Sequence, residues 1–144
     1  MNDVTSPPGQ TLELTLDAKP QNLALIRLAL AGAATNAGAP REIVSDLKLA
    51  VTEACTNVIQ HAYGGDASAG EIVVRYTVEP GMLAVEVEDT GSGFELDAPH
   101  GGHDRNGGGG NGLMIIRVLT DELSVSSAGT GTRVAFVKRF SPEG

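Results

Sequence analysis

The spacing of apolar residues changes period along the first half of the chain, and each period predicts a different element. Polar and apolar residues alternate over residues 11–16, a period of two that is typical of a half-buried strand. From Pro20 the apolar residues recur every three or four positions until Gly38, which predicts a helix that opens on proline and ends at glycine. A second stretch of helical spacing begins at Pro40 and ends near Tyr63, where two glycines follow.

The second half returns to strand periods, interrupted by one long glycine-rich segment. The predicted elements are two strands over residues 71–78 and 82–89, a third helix over 112–119, and two strands over 122–128 and 132–140. Tight turns join each strand pair into a hairpin. Because the first two helices follow each other directly, they cannot be single crossovers between parallel strands. The pattern therefore predicts an α+β fold, a two-layer α/β sandwich whose mostly antiparallel mixed sheet is covered on one face by helices.

Composition favours one domain and disfavours one class of partner. The chain has 144 residues, a common size for a domain with its own core. We expect residues 1–144 to form a single domain, with flexible tails at 1–9 and 141–144. Apolar residues make up 41% of the chain and aromatic residues 3%, so aliphatic side chains and alanine must fill that core. The net charge of -8 disfavours a nucleic-acid surface, because phosphate backbones attract basic patches.

The single cysteine, Cys55, excludes an internal disulfide and fits the reducing cytoplasm. It lies in an apolar helical stretch, so we interpret it as a core residue, with a reactive thiol as the alternative. No basic segment leads into an apolar stretch near the N-terminus, and the apolar run at residues 23–34 is too short to span a bilayer. We therefore expect a soluble, cytoplasmic protein without membrane contact.

Glu53 and Asn57 lie four residues apart on the second predicted helix, about 40° apart around its axis. Both positions border the apolar stripe, so we expect the two side chains to point at the seam between core and solvent. An amide oxygen there is a suitable ligand for Mg²⁺, and a carboxylate can accept a proton from a hydroxyl nucleophile. The alternative is a helix edge that carries two solvated polar residues.

Asp89 ends a predicted strand, and two glycines follow it closely. Such a carboxylate can accept a hydrogen bond from an exocyclic amine while the backbone passes a planar base, although an ordinary Asp-Gly turn is the alternative. The glycine run 107–112 precedes a helix, so its amides could cradle phosphates, although a flexible linker explains it too. It does not directly follow a strand, which excludes a dinucleotide-binding fingerprint, and no P-loop sequence is present.

The three histidines do not predict a metal site. His61 falls on the apolar side of the second predicted helix, and His100 and His103 have no cysteine or carboxylate at ligand spacing. We interpret the first as a hydrogen-bonded core residue and the other two as solvated side chains.

Taken in order, the motifs resemble those of the GHKL ATPase superfamily. Residues 53–63 are similar to its N box, 89–94 to its first glycine box, 110–113 to its second and 131–134 to its closing motif. The short length, the N-terminal strand and helix, and a glutamate four residues before the asparagine resemble the RsbW-type anti-sigma factor serine/threonine kinases best. The resemblance covers nearly the whole chain and implies the ATP-binding fold of that superfamily.

The resemblance also implies a role for each matching residue. Glu53 would be the general base on a partner's serine, and Asn57 would ligate the Mg²⁺ that bridges the ATP phosphates. Asp89 would bind the adenine amine, aided by Thr132. The remaining backbone contacts to the nucleotide would come from Gly91, Gly93, Gly110, Gly112 and Leu113.

Residues 94–110 match the family's ATP lid in position only. The segment is glycine-rich and lacks the apolar anchors of that lid, although Arg105 could reach a phosphate. The resemblance thus implies ATP and Mg²⁺ as cofactors, and it leaves open how the lid closes.

As to function, the resemblance implies a homodimeric anti-sigma factor that binds a sigma factor and phosphorylates a serine on an antagonist protein, without direct contact to nucleic acid. Arg27 interrupts the apolar run of the first helix and matches a family position that contacts both partners; a solubilising charge is the alternative. Three other functions stay open: an activating RsbT-like switch kinase, a non-catalytic ATP-dependent binding module, and a detached histidine-kinase catalytic domain. Segment 11–37 disfavours the first, and Glu53 disfavours the other two.

Overall fold

The computed structural model describes residues 9–63, 70–89, 108–128 and 131–142. Its elements, in chain order, are β1 (Gln10–Asp17), a short 3-10 helix (Pro20–Asn22), α1 (Leu23–Asn36), α2 (Arg41–Tyr63), β2 (Glu71–Glu79), β3 (Met82–Asp89), α3 (Gly108–Leu119), β4 (Glu122–Ala128) and β5 (Gly131–Arg139). This is the order that the periods predict, and each strand end lies within one residue of its predicted position.

The strands form one five-stranded sheet in the described part of the chain, in the order β1-β2-β3-β5-β4. Every neighbouring pair among them is antiparallel. The hairpin turns predict this for β2–β3 and β4–β5, and the described strands include no parallel pair of the expected mixed sheet. Because β3 pairs with β5, the strand that ends at Asp89 lies beside the strand that begins at Gly131. Two distant parts of the sequence therefore meet at one end of the sheet.

One face of the sheet is buried under the helices. In β3 the fully buried residues Leu83, Val85 and Val87 alternate with more exposed ones, as a strand with one covered face requires. α2 packs over β3 and β5, and α1 packs over β2. The hydroxyl of Tyr76 joins the two layers, because it donates a hydrogen bond of 2.7 Å to the carbonyl of Ile26. Burial raises the pKa of this phenol. Because helices cover one face of the sheet, the predicted two-layer α+β sandwich is confirmed.

α1 begins later than its proline suggests and ends at the predicted glycine. Pro20 opens a single 3-10 turn, and the α-helix starts only at Leu23, which corrects the predicted start. At the other end Gly38 has a φ of 91°, and its N–H donates to the carbonyl of Thr35. The N–H of the next residue donates to the carbonyl of Ala34. These two bonds form a Schellman motif, which satisfies carbonyls left open at the helix end.

The β2–β3 hairpin turns at Pro80 and Gly81, and this turn is tied to both layers. Gly81 has a φ of 76°, as the third residue of a type II turn requires. Its N–H donates to the carbonyl of Ala37, and its own carbonyl accepts a hydrogen bond from the N–H of Phe140. The turn therefore holds the end of α1 and the end of β5 together.

α3 begins earlier than periodicity predicts. The sequence predicts a start at Gly112, and the structure starts the helix at Gly108, so residues 108–110 of the expected lid are helical. Glycines carry no side chain whose spacing could reveal this turn, and they are poor helix formers. The pattern of apolar residues therefore missed the first turn.

The opposite face of the sheet carries a network of charged side chains. Arg75 on β2 forms ion pairs with Glu13, Glu86 and Glu88 on the two neighbouring strands. Glu86 also pairs with Arg133 on β5. Burial lowers the pKa of Arg75, but the three carboxylates raise it above its usual value. A polar face of this kind is stable in water, which is why an antiparallel sheet needs helices on only one side.

Candidate functional site

Three buried side chains in the described part of the chain are polar or charged, and all three are predicted site residues. Asn57, Asp89 and Thr132 are 5%, 7% and 8% exposed, respectively. Removing an amide, a carboxylate or a hydroxyl from water is unfavourable unless polar partners replace the water. Burial of all three sets them apart from the apolar residues of the core, and their role in nucleotide binding stays a prediction.

Asp89 continues the buried phase of β3, so its side chain faces the helical layer. The backbone N–H of Thr132, near the start of β5, donates a hydrogen bond of 2.6 Å to its Oδ2 atom. A carboxylate in an ordinary Asp-Gly turn has no reason to be buried, because it can cap its own turn from the surface. Asp89 is therefore not the exposed cap of an ordinary turn, and its role in binding a base stays a prediction.

Gly131 lies against the same carboxylate. A Cβ atom at Gly131 would be 2.9 Å from Oδ1 and 3.3 Å from Oδ2 of Asp89, closer than side chains normally pack. Gly131 had no predicted role, so this contact was missed. The sequence signal for this contact was the position of Gly131 directly before Thr132 in the closing motif. The structure brings both residues to one carboxylate.

Asn57 lies deeper than its helical position suggested. Both Asn57 and Glu53 were expected at the seam between core and solvent, but Asn57 is buried and only Glu53 is half-buried. α2 packs over β3 and β5 and also against α1 and α3, so a side chain at the edge of its apolar stripe can be buried. Helical spacing gives the direction of a side chain and not its depth, which explains the error. A solvated Asn57 is excluded.

The carboxylate of Glu53 lies against α3. A Cβ atom at Gly112 would be 2.9 Å from Oε1 of Glu53. The segment that resembles the N box and the segment that resembles the second glycine box therefore meet, although they are far apart in the sequence.

The remaining predicted site residues divide into two groups. Gly91, Gly93 and Arg105 lie outside the described residues, as does the lid segment before α3. Gly110 lies in the first turn of α3, where backbone N–H groups have no helical partner and favour anions. Gly112 and Leu113 follow in the second turn, where the helix itself engages the N–H groups.

Cys55 is a core residue, as predicted. It is buried on α2, and burial raises the pKa of its thiol to about 12 against a smaller opposing effect of Arg27. Almost no thiolate is present at neutral pH, which removes the reactive alternative. Among the described side chains, no group of three or more His, Cys, Asp or Glu could hold a metal ion. The predictions for the three histidines fall outside the described side chains.

Arg27 lies at the seam between α1 and α2 rather than on a free helical face. It is half-buried, and its Nη1 atom donates a hydrogen bond of 3.4 Å to Oγ1 of Thr52. That hydroxyl in turn donates to the carbonyl of Lys48. The simple interpretation of Arg27 as a solubilising charge is therefore disfavoured, and its role in partner binding stays a prediction.

Comparison with known proteins now identifies the family. A family model described as a histidine kinase-like ATPase domain matches residues 16–138. The serine-protein kinase RsbW of Bacillus velezensis is 37% identical over 141 residues, covering 92% of this chain and 87% of that protein. The chain belongs to the RsbW family of serine-protein kinases. The RsbW protein of Bacillus subtilis is 36% identical with the same coverage, and that of a Listeria monocytogenes strain is 38% identical over 123 residues, covering 79% of this chain and 78% of that protein.

Solved structures share the fold of this RsbW family member. The structure of the RsbU and RsbW domains of a Mycobacterium tuberculosis protein matches with a TM-score of 0.67 over 94% of this chain and 34% of that chain, at 23% identity. The SiaB-SiaC complex of Pseudomonas aeruginosa gives a TM-score of 0.63 over 88% of both chains, at 17% identity. At such identities the likeness shows the fold alone.

Family membership defines the reaction class. As an RsbW family member with a histidine kinase-like ATPase domain, the chain is a serine-protein kinase that uses ATP. Within the described residues, no helix is both long enough and apolar enough to cross a membrane.

Proposed function

We propose that this chain is an anti-sigma factor that binds a sigma factor and uses Mg²⁺·ATP to phosphorylate a serine on an antagonist of that factor. The observation that carries the proposal is the buried set of Asn57, Asp89 and Thr132, with the half-buried Glu53 one helical turn from Asn57. The family supplies the reaction class, and these side chains supply the chemistry that a nucleotide and a serine need.

The adenine end of the site would be built on Asp89. A carboxylate only accepts hydrogen bonds, so it favours a base that carries an exocyclic amine. The N–H of Thr132 orients the carboxylate, and Gly131 leaves the space in which its oxygens lie. The hydroxyl of Thr132 would assist the base directly or through a water. Gly91 and Gly93 would let the following backbone pass the ring.

The phosphate end would be built on α2 and α3. The amide oxygen of Asn57 suits Mg²⁺, which takes oxygen ligands. When bound, this ion would neutralise charge on the phosphates. The first turn of α3, which contains Gly110, would offer N–H groups to a phosphate. The N–H groups of Gly112 and Leu113 bond within the helix, so they would reach a phosphate only if the first turn opened. Arg105 would approach from the lid.

Glu53 would act as the general base. It would take the proton of the serine hydroxyl as the serine oxygen attacks the γ-phosphorus, and the bond to the bridging oxygen would break to release ADP. Positioning and charge stabilisation provide most of the rate in such transfers. A half-buried carboxylate remains reachable by the side chain of a docked protein, which a fully buried one would not be.

The competing functions differ in what they need from this chain. A non-catalytic module needs no carboxylate at Glu53, and a detached histidine-kinase domain would use a histidine acceptor. An RsbT-like switch kinase is disfavoured by the intact strand and helix of β1 and α1. We place the activity in the cytoplasm, where the reducing conditions suit the free thiol of Cys55.

One set of assays tests the proposal. Proteins captured on the purified chain are identified by mass spectrometry, and each is then offered with labelled ATP and Mg²⁺. We expect a sigma factor among them and a second protein that acquires acid-stable label on serine, with transfer lost when EDTA is added. Binding of ATP without transfer would favour the module, transfer without sigma capture would favour the switch kinase, and acid-labile label would indicate histidine.

We also propose that the chain forms a homodimer through β1 and α1. In the described part of the chain β1 pairs only with β2, so its other edge is open to a second strand. Leu12 on β1 and Leu25 on α1 are exposed apolar side chains. A second copy would cover both.

The proposed dimer predicts that an introduced negative charge prevents association at one exposed position and not at another. Leu25→Glu should convert a dimer to a monomer in sedimentation analysis, because a buried unpaired carboxylate opposes association. Val125→Glu is the control, since Val125 is similarly exposed, 45% against 51% for Leu25, and lies on the opposite edge strand. A monomeric native chain, or equal effects of the two changes, would contradict this interface.

A further inference from the structure

Gly112 differs from the other glycines in the described part of the chain because a side chain there would meet the proposed base. A Cβ atom at Gly112 would lie 2.9 Å from Oε1 of Glu53 and 3.9 Å from its Cβ and Cδ atoms. All three atoms belong to one side chain. The space that glycine leaves is therefore occupied by the Glu53 carboxyl group.

Backbone freedom does not explain this glycine. Among the described residues, glycines with positive φ are Gly38 and Gly81, so the backbone at Gly112 is one that any residue adopts. It lies inside α3, where glycine is a worse helix former than alanine. Its N–H is in the second turn and has a helical acceptor. What an alanine would disturb is the position of the Glu53 carboxylate.

We propose that Gly112 is a positioning residue for Glu53, holding the carboxylate against α3 by the space that it leaves open. This inference rests on the proposed function, because it concerns the base of that reaction. α3 also carries, in its first turn, the proposed phosphate contacts. The same helix would then fix both the phosphates and the group that deprotonates the serine, and their separation would be set by packing between α2 and α3.

The direct test is Gly112→Ala. The nearest atom to the added methyl group is the end of a flexible side chain, so the fold should persist while the carboxylate moves aside. Displacing a reacting group by about 1 Å can lower the reaction rate 10²-fold. We therefore expect kcat for transfer to a serine substrate to fall roughly 10- to 100-fold. ATP affinity should change less than about threefold, because alanine keeps the backbone N–H.

A second change distinguishes positioning from a general effect on α3. Glu53→Asp shortens the side chain by one methylene and should itself lower kcat. In the Gly112→Ala background the shorter side chain leaves room for the methyl group. In that background Glu53→Asp should lower kcat no further, or should restore part of it. If the kcat reductions of the two single variants simply multiply in the double variant, the side chains do not interact, and the inference is wrong.

Gly32→Ala is the matched control. Gly32 is also a helical glycine, on α1, and a Cβ atom there would meet nothing within 4 Å. This variant should keep the native kcat and melt at the same temperature or higher.

The outcomes separate this inference from the function on which it rests. If Glu53→Gln abolishes transfer but Gly112→Ala keeps full kcat, the positioning role fails and the kinase stands. If Glu53→Gln also keeps full transfer, the proposed base itself fails. Should Gly112→Ala not fold, the double variant with Glu53→Asp decides: a folded double variant supports the contact, and an unfolded one shows that something other than the carboxylate excludes the methyl group.

Discussion

Replacing Glu53 with glutamine should lower phosphate transfer by about 10² to 10⁴-fold while ATP affinity barely changes. Glutamine keeps the length and shape of the side chain, so it fits the same space against Gly112, but it cannot accept the serine proton. Capture of the sigma factor should survive, because sequestration needs the nucleotide-bound shape and not the chemistry. Transfer from labelled ATP, calorimetry with ATP and a sigma pull-down measure the three properties.

Asn57→Ala on the same helix is the comparison. It deletes a proposed metal ligand, so Mg²⁺·ATP binding and transfer should weaken together. The two variants then divide the site into a group that acts only in the reaction and a group that also holds the nucleotide. Full transfer by Glu53→Gln would show that the base assignment is wrong and would favour a binding role for this residue.

Asp89→Asn should weaken ATP binding by roughly 1 to 3 kcal/mol, the cost of mispairing a buried polar group, or about 5- to 150-fold in affinity. Either orientation of the new amide is unfavourable. If its NH₂ group faces Thr132, it meets the N–H that now donates to Oδ2; if it faces the base, it meets the adenine amine. Calorimetry with ATP measures the loss directly.

Two controls make the Asp89 result specific. Inosine triphosphate lacks the exocyclic amine, so the native chain should prefer ATP, and Asp89→Asn should reduce that preference. Asp121→Asn changes an exposed aspartate that also accepts a backbone N–H, that of Arg139 at 2.7 Å, and should leave ATP affinity unchanged. Equal ATP affinity of the native chain and Asp89→Asn would rule out this carboxylate as the adenine contact.

The fold could be predicted largely because its strands alternate cleanly and each turn carries its own signal. Gly81 and Gly38 both have positive φ where the sequence placed a turn and a helix end. The errors arose where such signals are absent. Glycines at residues 108–110 have no side-chain period, so the first turn of α3 was invisible, and Pro20 fits a 3-10 turn as well as an α-helix.

The site was less accessible to sequence reasoning because its contacts join distant segments. The spacing of Glu53 and Asn57 gave their shared direction on α2, but the packing of α2 against its neighbours determines how deeply each is buried. The contacts of Gly112 with Glu53 and of Gly131 with Asp89 depend on how α3 and β5 pack against their neighbours. No local pattern contains that information, and only the resemblance placed these segments in one site.

Because Cys55 is buried and the chain has no other cysteine, the folded protein presents no thiol to a maleimide dye. A cysteine introduced at an exposed position, such as Gln60→Cys on α2, therefore becomes the one labelling point without any prior removal of native cysteines. A fluorophore there sits one turn from Asn57 and would let nucleotide exchange and partner capture be followed in real time by spectroscopy on otherwise unaltered protein.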